Sequence, residues 1–494
     1  MAALDPAMGH LLRRAGFGVT EHDAPVWNQL SVSAAIDRLV DYDAASNSVD
    51  RWVGSTGRLG TTSNGPFNPN DEVTDARQRW LFRMVYSECP LQEKMALFWH
   101  NHFATGYSKI AGQLGGEGAT RALAQVPSEY TDPVRGRVAL PVPRGQLELF
   151  RDMALGNFRD LLLAVSQDVA MVAWLDGDTN ISYFPQENYA RELMELFSMG
   201  VDHYTEEDVY SGARVFTGWN LKRYSQARAD DQRWEFYWAP DRHDDGPKTF
   251  SFPIYSDGSK TIPSRSQLDG LQDGIDLINA VAGHPETGRF LARKLYAYFV
   301  NDTEEPDKST IDQIAATYFR TGYNMREVVR ELLRSTAFQD PANYWARYSW
   351  PVEYAVRIFK EVGCAGYSAN QALSPLVNMG QTLFEPPDVA GWKMGSDWIS
   401  TATMLARMNF ASELTENQRF ALRTAAIEHG TSADSMLDYF LGRLSTPPLN
   451  GAMRQELLTY LNAEEPFTGT RIQAWFKGAG LAHLVTASPE YQFV

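Results

Sequence analysis

Two segments concentrate the groups that could do chemistry. Phe98-Trp99-His100-Asn101-His102-Phe103 sets two of nine histidines inside an apolar run. Glu187-Asn188-Tyr189-Ala190-Arg191-Glu192-Leu193-Met194-Glu195 gathers three carboxylates, an arginine and an amide. Polar groups in apolar sequence are costly unless they are hydrogen-bonded, paired or bound to a metal. The two segments therefore mark a candidate site.

On a helix of about 100° per residue, Glu187, Arg191 and Glu195 share one stripe, with Asn188 and Glu192 on its neighbour. Glu192 and Glu195 lie three apart and can address one ligand or one proton-transfer position. A desolvated carboxyl beside a like charge has its pKa raised and serves as a general acid. Arg191 is placed to hold Glu195 ionised. The same spacing also describes a plain surface ladder, worth about 0.2–0.5 kcal/mol per pair.

The histidine segment is apolar almost all round, which predicts a buried helix. Each imidazole then needs a partner, and Glu192 and Glu195 are the densest supply of carboxylates. On an ideal helix His100 and His102 point about 200° apart, so they chelate one ion only if the helix unwinds near Asn101. This is not the His-Glu-x-x-His arrangement of zinc proteases. Structural, acid–base and metal-ligating roles all stay open.

Further along, Arg242-His243-Asp244-Asp245-Gly246-Pro247-Lys248 packs ionisable groups into a turn, where a carboxylate could orient the imidazole or share a cation with it. Gly218-Trp219 and Gly391-Trp392 read as helix ends whose Trp is core or stacking platform. His284-Pro285 reads as a cap. The catalytic candidates are Glu192, Glu195, His100 and His102. The substrate-binding candidates are Asn101, Asn188, Arg191, Trp219, His243, Asp244, Lys248 and Trp392. No motif requires a cofactor. The alternative is a divalent metal held by His100, His102, Glu192, Glu195 and His243, since imidazole with carboxylate suits zinc, iron or manganese.

These residues must be positioned by helices. Helical periodicity covers 33–42, 74–87, 90–103, 145–169, 186–199, 205–215, 267–283, 286–300, 309–321, 325–336 and 351–362, then 400–412, 416–429, 432–443, 451–462 and 471–487. Strand signals are confined to 234–238 and 248–252, which predict a short hairpin near 230–255. The fold class is mostly α, a large multi-helix architecture with that small β excursion. Loop-rich stretches at 54–72, 105–144 and 220–265 interrupt the helices. A weak boundary near 340–350 would divide a main helical domain, 1–340, from a C-terminal helical part, 341–494, packed on it or continuous with it.

Composition narrows the function classes. At 494 residues the chain can bury a large core, and 44% hydrophobic with 21% charged residues is ordinary for a folded protein. A net charge of −16 without clustered Lys and Arg argues against nucleic acid and anionic membranes. No run approaches a membrane span. Cys89 and Cys364 allow at most one disulfide and argue against a cysteine zinc site. No basic-then-apolar leader is visible, so the chain reads as cytoplasmic as written, or exported if a leader has been removed. Oligomeric state is not legible. No serine-hydrolase elbow, phosphate loop or dinucleotide fingerprint occurs.

Residues 10–18 (HLLRRAGFG), 98–105 (FWHNHFAT), 155–161 and 187–200 form a series of distinctive segments, followed by 204–209, 216–219, 243–250 (HDDGPKTF) and 284–285. Residues 380–392 (GQTLFEPPDVAGW) and 405–410 complete the series. In these segments the chain resembles the bacterial family catalogued as domain of unknown function 1800. The resemblance implies membership and no established chemistry. Many similar bacterial proteins are exported, and some members carry a histidine where this chain has Phe197. The leading expectation is an enzyme whose carboxylate/histidine cleft cleaves a polar substrate. A glycan is the favoured class, because paired carboxylates suit an oxocarbenium-like transition state and the aromatic residues, 12% of the chain with 13 Trp, suit sugar stacking. The rivals are a metal-dependent enzyme using the same residues and a non-enzymatic binding or assembly protein.

Overall fold

The computed structural model describes residues 4–42, 48–63, 65–127, 129–132, 136–141, 144–223, 233–363, 366–416 and 420–494. Helix accounts for 59% of the chain, in 24 α-helices among the described residues. The mostly α class expected from periodicity is the class observed.

Local chemistry sets most helix starts. Asp5 caps the Pro6–Gly16 helix, its carboxylate accepting the amides of Ala7 and Met8. Thr205 and Asp208 form a reciprocal capping box at Glu206–Val215, and His284 caps Pro285–Phe299 by accepting the Glu286 amide. The stretch 145–169 is not one helix. Gln146–Asp152 ends, Gly156 turns, and Asn157 caps a new helix, Phe158–Ser166, by accepting the Asp160 amide. The expected loop 105–144 contains two helices, Tyr107–Leu114 and Gly116–Ala124, and a strand pair, Glu129–Asp132 with Gly136–Pro141.

The β excursion is real but its pairing differs from the expected hairpin. Trp234–Trp238 pairs antiparallel with Trp219–Arg223, and Lys248–Thr249 pairs with Thr261–Ile262. Strand Trp219–Arg223 starts straight after Gly218, whose φ of 84° ends the run begun by Glu206–Val215. Gly218 therefore turns the chain out of a helix, and Trp219 begins a strand.

One hydrophobic cluster runs from Met8 to Tyr491. Polar ties cross the 340–350 region as well. Arg14 Nη2 donates to Asn343 O at 2.8 Å, Lys360 Nζ donates to Gly16 O at 2.7 Å, and Lys94 pairs with Glu353. Cys89 is buried, and Cys364 lies outside the described residues. Among the described residues no helix is long and apolar enough to cross a membrane.

Candidate functional site

The carboxylate helix spans Asn188–Glu195, with Glu187 as its cap. Tyr189, Ala190, Leu193 and Met194 are buried, which turns the polar stripes outward. It packs against Glu206–Val215, and Gly212 lets the two close up: a Cβ there would lie 2.9 Å from the Ala190 methyl. Arg191 does not hold Glu195. Its guanidinium donates to both carboxylate oxygens of Glu206 at 2.8 Å and to Glu187 at 3.1 Å. Glu206 wins because it opens the next helix directly opposite and accepts the planar fork with both oxygens. Glu195 instead accepts the Tyr204 hydroxyl.

Glu192 is half-buried, and its carboxyl has no hydrogen bond or ion pair among the described residues. Burial first, and the neighbouring Glu195 charge second, push its pKa up to about 7, with Arg191 opposing. Asn188 is exposed and donates to Asp176 at 3.3 Å.

The histidines do not join this pair. The Pro90–His102 helix is buried along its length and continues through His102, so the two rings keep separate faces. His100 Nε2 accepts the Phe384 amide at 3.1 Å, and its ring meets those of Trp80, Phe384 and Trp392. Burial lowers its pKa to about 3. His102 Nε2 lies 3.1 Å from Phe197 O, and Nδ1 lies 3.1 Å from Lys294 Nζ. Burial, then the Lys294 charge, holds His102 well below its ordinary pKa. The expected carboxylate partners are thus replaced by backbone groups and a lysine. Lys294 carries no sequence signal; Tyr204 opens the 204–209 stretch, which is part of the family likeness.

Asn101 acts as a clamp. Its Oδ1 accepts the Trp392 amide at 2.6 Å, and its Nδ2 donates to Trp392 O at 3.3 Å. Gly391, at φ 85°, passes so close that a Cβ would sit 2.4 Å from Asn101 O and Oδ1. Two of the densest motifs, at 98–105 and 380–392, are therefore the two halves of one internal joint. Trp392 is buried in it.

The 243–248 turn is a second closed network. His243 Nδ1 lies 2.8 Å from Thr217 O and Nε2 lies 3.3 Å from Asp273 Oδ2. Asp273 also receives Lys248 Nζ at 2.6 Å and Arg265 Nη1 at 2.5 Å. Asp244 is gripped by Arg214 at 2.7 and 2.9 Å. Burial would raise the Asp244 pKa, yet the Arg214 hydrogen bonds leave it below the usual carboxylate range. Trp219 is buried against the Leu271–Gly283 helix, where a Cβ on Gly274 would lie 2.3 Å from its ring. Neither Trp219 nor Trp392 offers a face for stacking.

Among the described residues, no three or more His, Cys, Asp and Glu side chains are grouped so as to hold a metal ion. His100, His102, His243 and the Glu192/Glu195 pair each have their separate surroundings. Of the four catalytic candidates, the carboxylate pair is what remains open to water. Just before it, the turn at 181–184 presents Tyr183 and Phe184 at 90% and 73% exposure.

No curated protein and no solved structure matches this chain. A family model does, described as a protein of unknown function (DUF1800), over residues 10–125 and 134–493. With nearly its whole length matched, the internal joint and the carboxylate helix included, the chain belongs to the DUF1800 family.

Proposed function

We propose that the protein is an enzyme in which Glu192 and Glu195 act as an acid–base pair in the cleavage of a polar substrate. The observation that carries this reading is Glu192: a half-buried carboxyl without a partner among the described residues, three residues from a second carboxyl, with its pKa about 7. A carboxyl of that pKa is protonated in a large fraction near neutrality and gives up its proton readily. Glu195, supported by the Tyr204 hydroxyl, supplies the adjacent negative charge. A carboxyl without a partner among the described residues and with a perturbed pKa is a functional candidate.

An extended, polymeric substrate such as a glycan fits an open surface better than a small molecule does. The exposed rings of Tyr183 and Phe184 supply apolar faces of the kind that stack on sugar rings. The test is a polysaccharide panel assayed for new reducing ends. Wild type should release them, and Glu192→Gln should be slower by about 100-fold or more, the size of a general-acid contribution. Turnover by Glu192→Gln at the wild-type rate would remove Glu192 from the chemistry.

A second reading, a non-enzymatic binding or assembly protein, is favoured by the closed state of the other motifs. His100, Asn101, His243, Asp244 and Lys248 all have internal partners. It predicts no turnover on any panel member and an unchanged wild-type fold in Glu192→Gln.

A further inference from the structure

A cleft of about 630 Å³ lies on another part of the molecule, between the first turns of Pro6–Gly16, the segment 341–345, and the Ala433–Arg443 helix with the chain that follows it. That volume lies within the range of small-molecule sites. Arg13 lies in its wall, only 4% exposed. Its guanidinium stacks 3.5 Å from the centre of the Trp345 ring, and Nη2 donates to Tyr344 O at 3.3 Å. Nε is buried with no hydrogen-bond partner. No carboxylate pairs with Arg13 among the described residues.

The surroundings add positive charge. Arg357 and Arg14 act on Arg13 from within the protein, and Glu361 is the acid that faces them. Glu361 is already engaged, by Arg357 Nε at 3.3 Å, the Tyr491 hydroxyl at 2.6 Å and the Ser445 amide at 3.2 Å. Arg443, also lining the cleft, spends Nη2 on Glu361 O and leaves Nε unpartnered. Two acids stand at the rim, turned to other groups. Asp5 caps its helix, and Asp438 pairs with Arg454 at 2.8 Å. The rest of the wall is largely apolar, with Leu4, Val19, Tyr344, Trp345 and Leu441.

A buried cation without a counter-ion is destabilising, and proteins normally pair it. Here one is held flat by an aromatic ring at the edge of a ligand-sized space. A stacked guanidinium with free donors matches the planar fork of a carboxylate. We propose that this cleft binds a small organic acid, its carboxylate on Arg13 and its apolar or aromatic body against Tyr344 and Trp345. The site is separate from Glu192 and does not depend on the acid–base reading.

The test is calorimetric titration of the full chain with acetate, octanoate, phenylacetate and 4-phenylbutyrate, each beside its uncharged amide. At least one of the longer acids should bind saturably at one site, with its amide at least about tenfold weaker, as the loss of a charge-assisted hydrogen bond requires. Ala7→Trp, at the partly exposed rim, should fill the space and abolish binding with the fold intact. Arg13→Gln should abolish it too; if that variant does not fold, Ala7→Trp decides. Glu192→Gln should bind as wild type does. The proposal is overturned if no acid binds up to about 10 mM, if acid and amide bind alike, or if Ala7→Trp leaves the affinity unchanged.

Discussion

The histidine helix and the carboxylate helix carry polar groups at similar density and use them in opposite ways. Along Pro90–His102 every charged or polar side chain is buried and tied. Glu93 accepts Arg83 and Arg151, Lys94 meets Glu353, and His100, Asn101 and His102 reach backbone on other segments. Along Asn188–Glu195 the polar face looks outward, and Glu192 has no partner among the described residues. The difference teaches that motif density marks joints as readily as sites; whether the partners are internal separates them. A perturbed pKa does not separate them by itself. Asp168 is also pushed up to about 7 by burial, yet it accepts Gln146 Nε2 at 2.8 Å and caps a helix through the Met171 amide.

The largest effect should come from breaking a closed network. Glu353 faces both Lys94 and Arg347 and also accepts the Trp350 amide at 2.9 Å. Glu353→Gln leaves two buried cations without their carboxylate and should cost about 3–5 kcal/mol in a denaturant titration. A loss under about 1 kcal/mol would mean that such networks are not what holds the core.

Next is the joint between the two dense motifs. Gly391→Ala puts a methyl where Asn101 already sits and forces a positive φ on an L side chain. It should destabilise by about 2 kcal/mol or more. Asn101→Ala should cost a similar amount by removing both bonds to Trp392, and the double variant should fall short of the sum because the two residues share one contact.

The third prediction concerns acid. His100 titrates near 3 in the fold and near 6.5 when unfolded. Below about 6.5 the unfolded chain therefore binds one more proton than the folded one, and stability drops by about 1.4 kcal/mol per pH unit on this account until the folded pKa is reached. Above 6.5 the residue contributes no pH dependence. His100→Gln should flatten the stability curve between pH 6 and 4, as followed by melting temperature.

Much of this contrast was legible from residues alone. The helix of 90–103 reads as buried because it is apolar all round, and the face of 187–195 reads as amphipathic because its apolar residues recur at helical spacing. What periodicity could not supply was the partner across the chain. Asn101 and Trp392 are far apart in sequence, and no local pattern says that an amide side chain will imitate backbone there. The strand partners inside the β excursion escaped the sequence for a related reason: Trp219–Arg223 follows a helix after only a short turn and looks like its tail. Spacing of i+4 points Arg191 at Glu195, but Glu206 offers a bidentate geometry from the next helix.

The smallest stability effect, and the sharpest test of the comparison, belongs to Glu192. Its folded pKa of about 7 lies above the ordinary value of 4.5, so the folded state binds the extra proton. That favours folding at pH 4.5 and below, and the advantage is lost as pH rises through about 7, where the carboxyl must ionise half-buried beside Glu195. Glu192→Gln cannot ionise. At pH 8 it should therefore be more stable than wild type, by about 1 kcal/mol after allowance for water at a partly open site. At pH 5 the two should differ little. A joint residue such as Glu353 behaves the other way, since losing its charge can only orphan its partners. If Glu192→Gln is less stable than wild type at pH 8, Glu192 belongs with the closed networks. If it is more stable there and slower on substrate, the chain gives up stability at this carboxyl in return for a proton held ready near neutral pH.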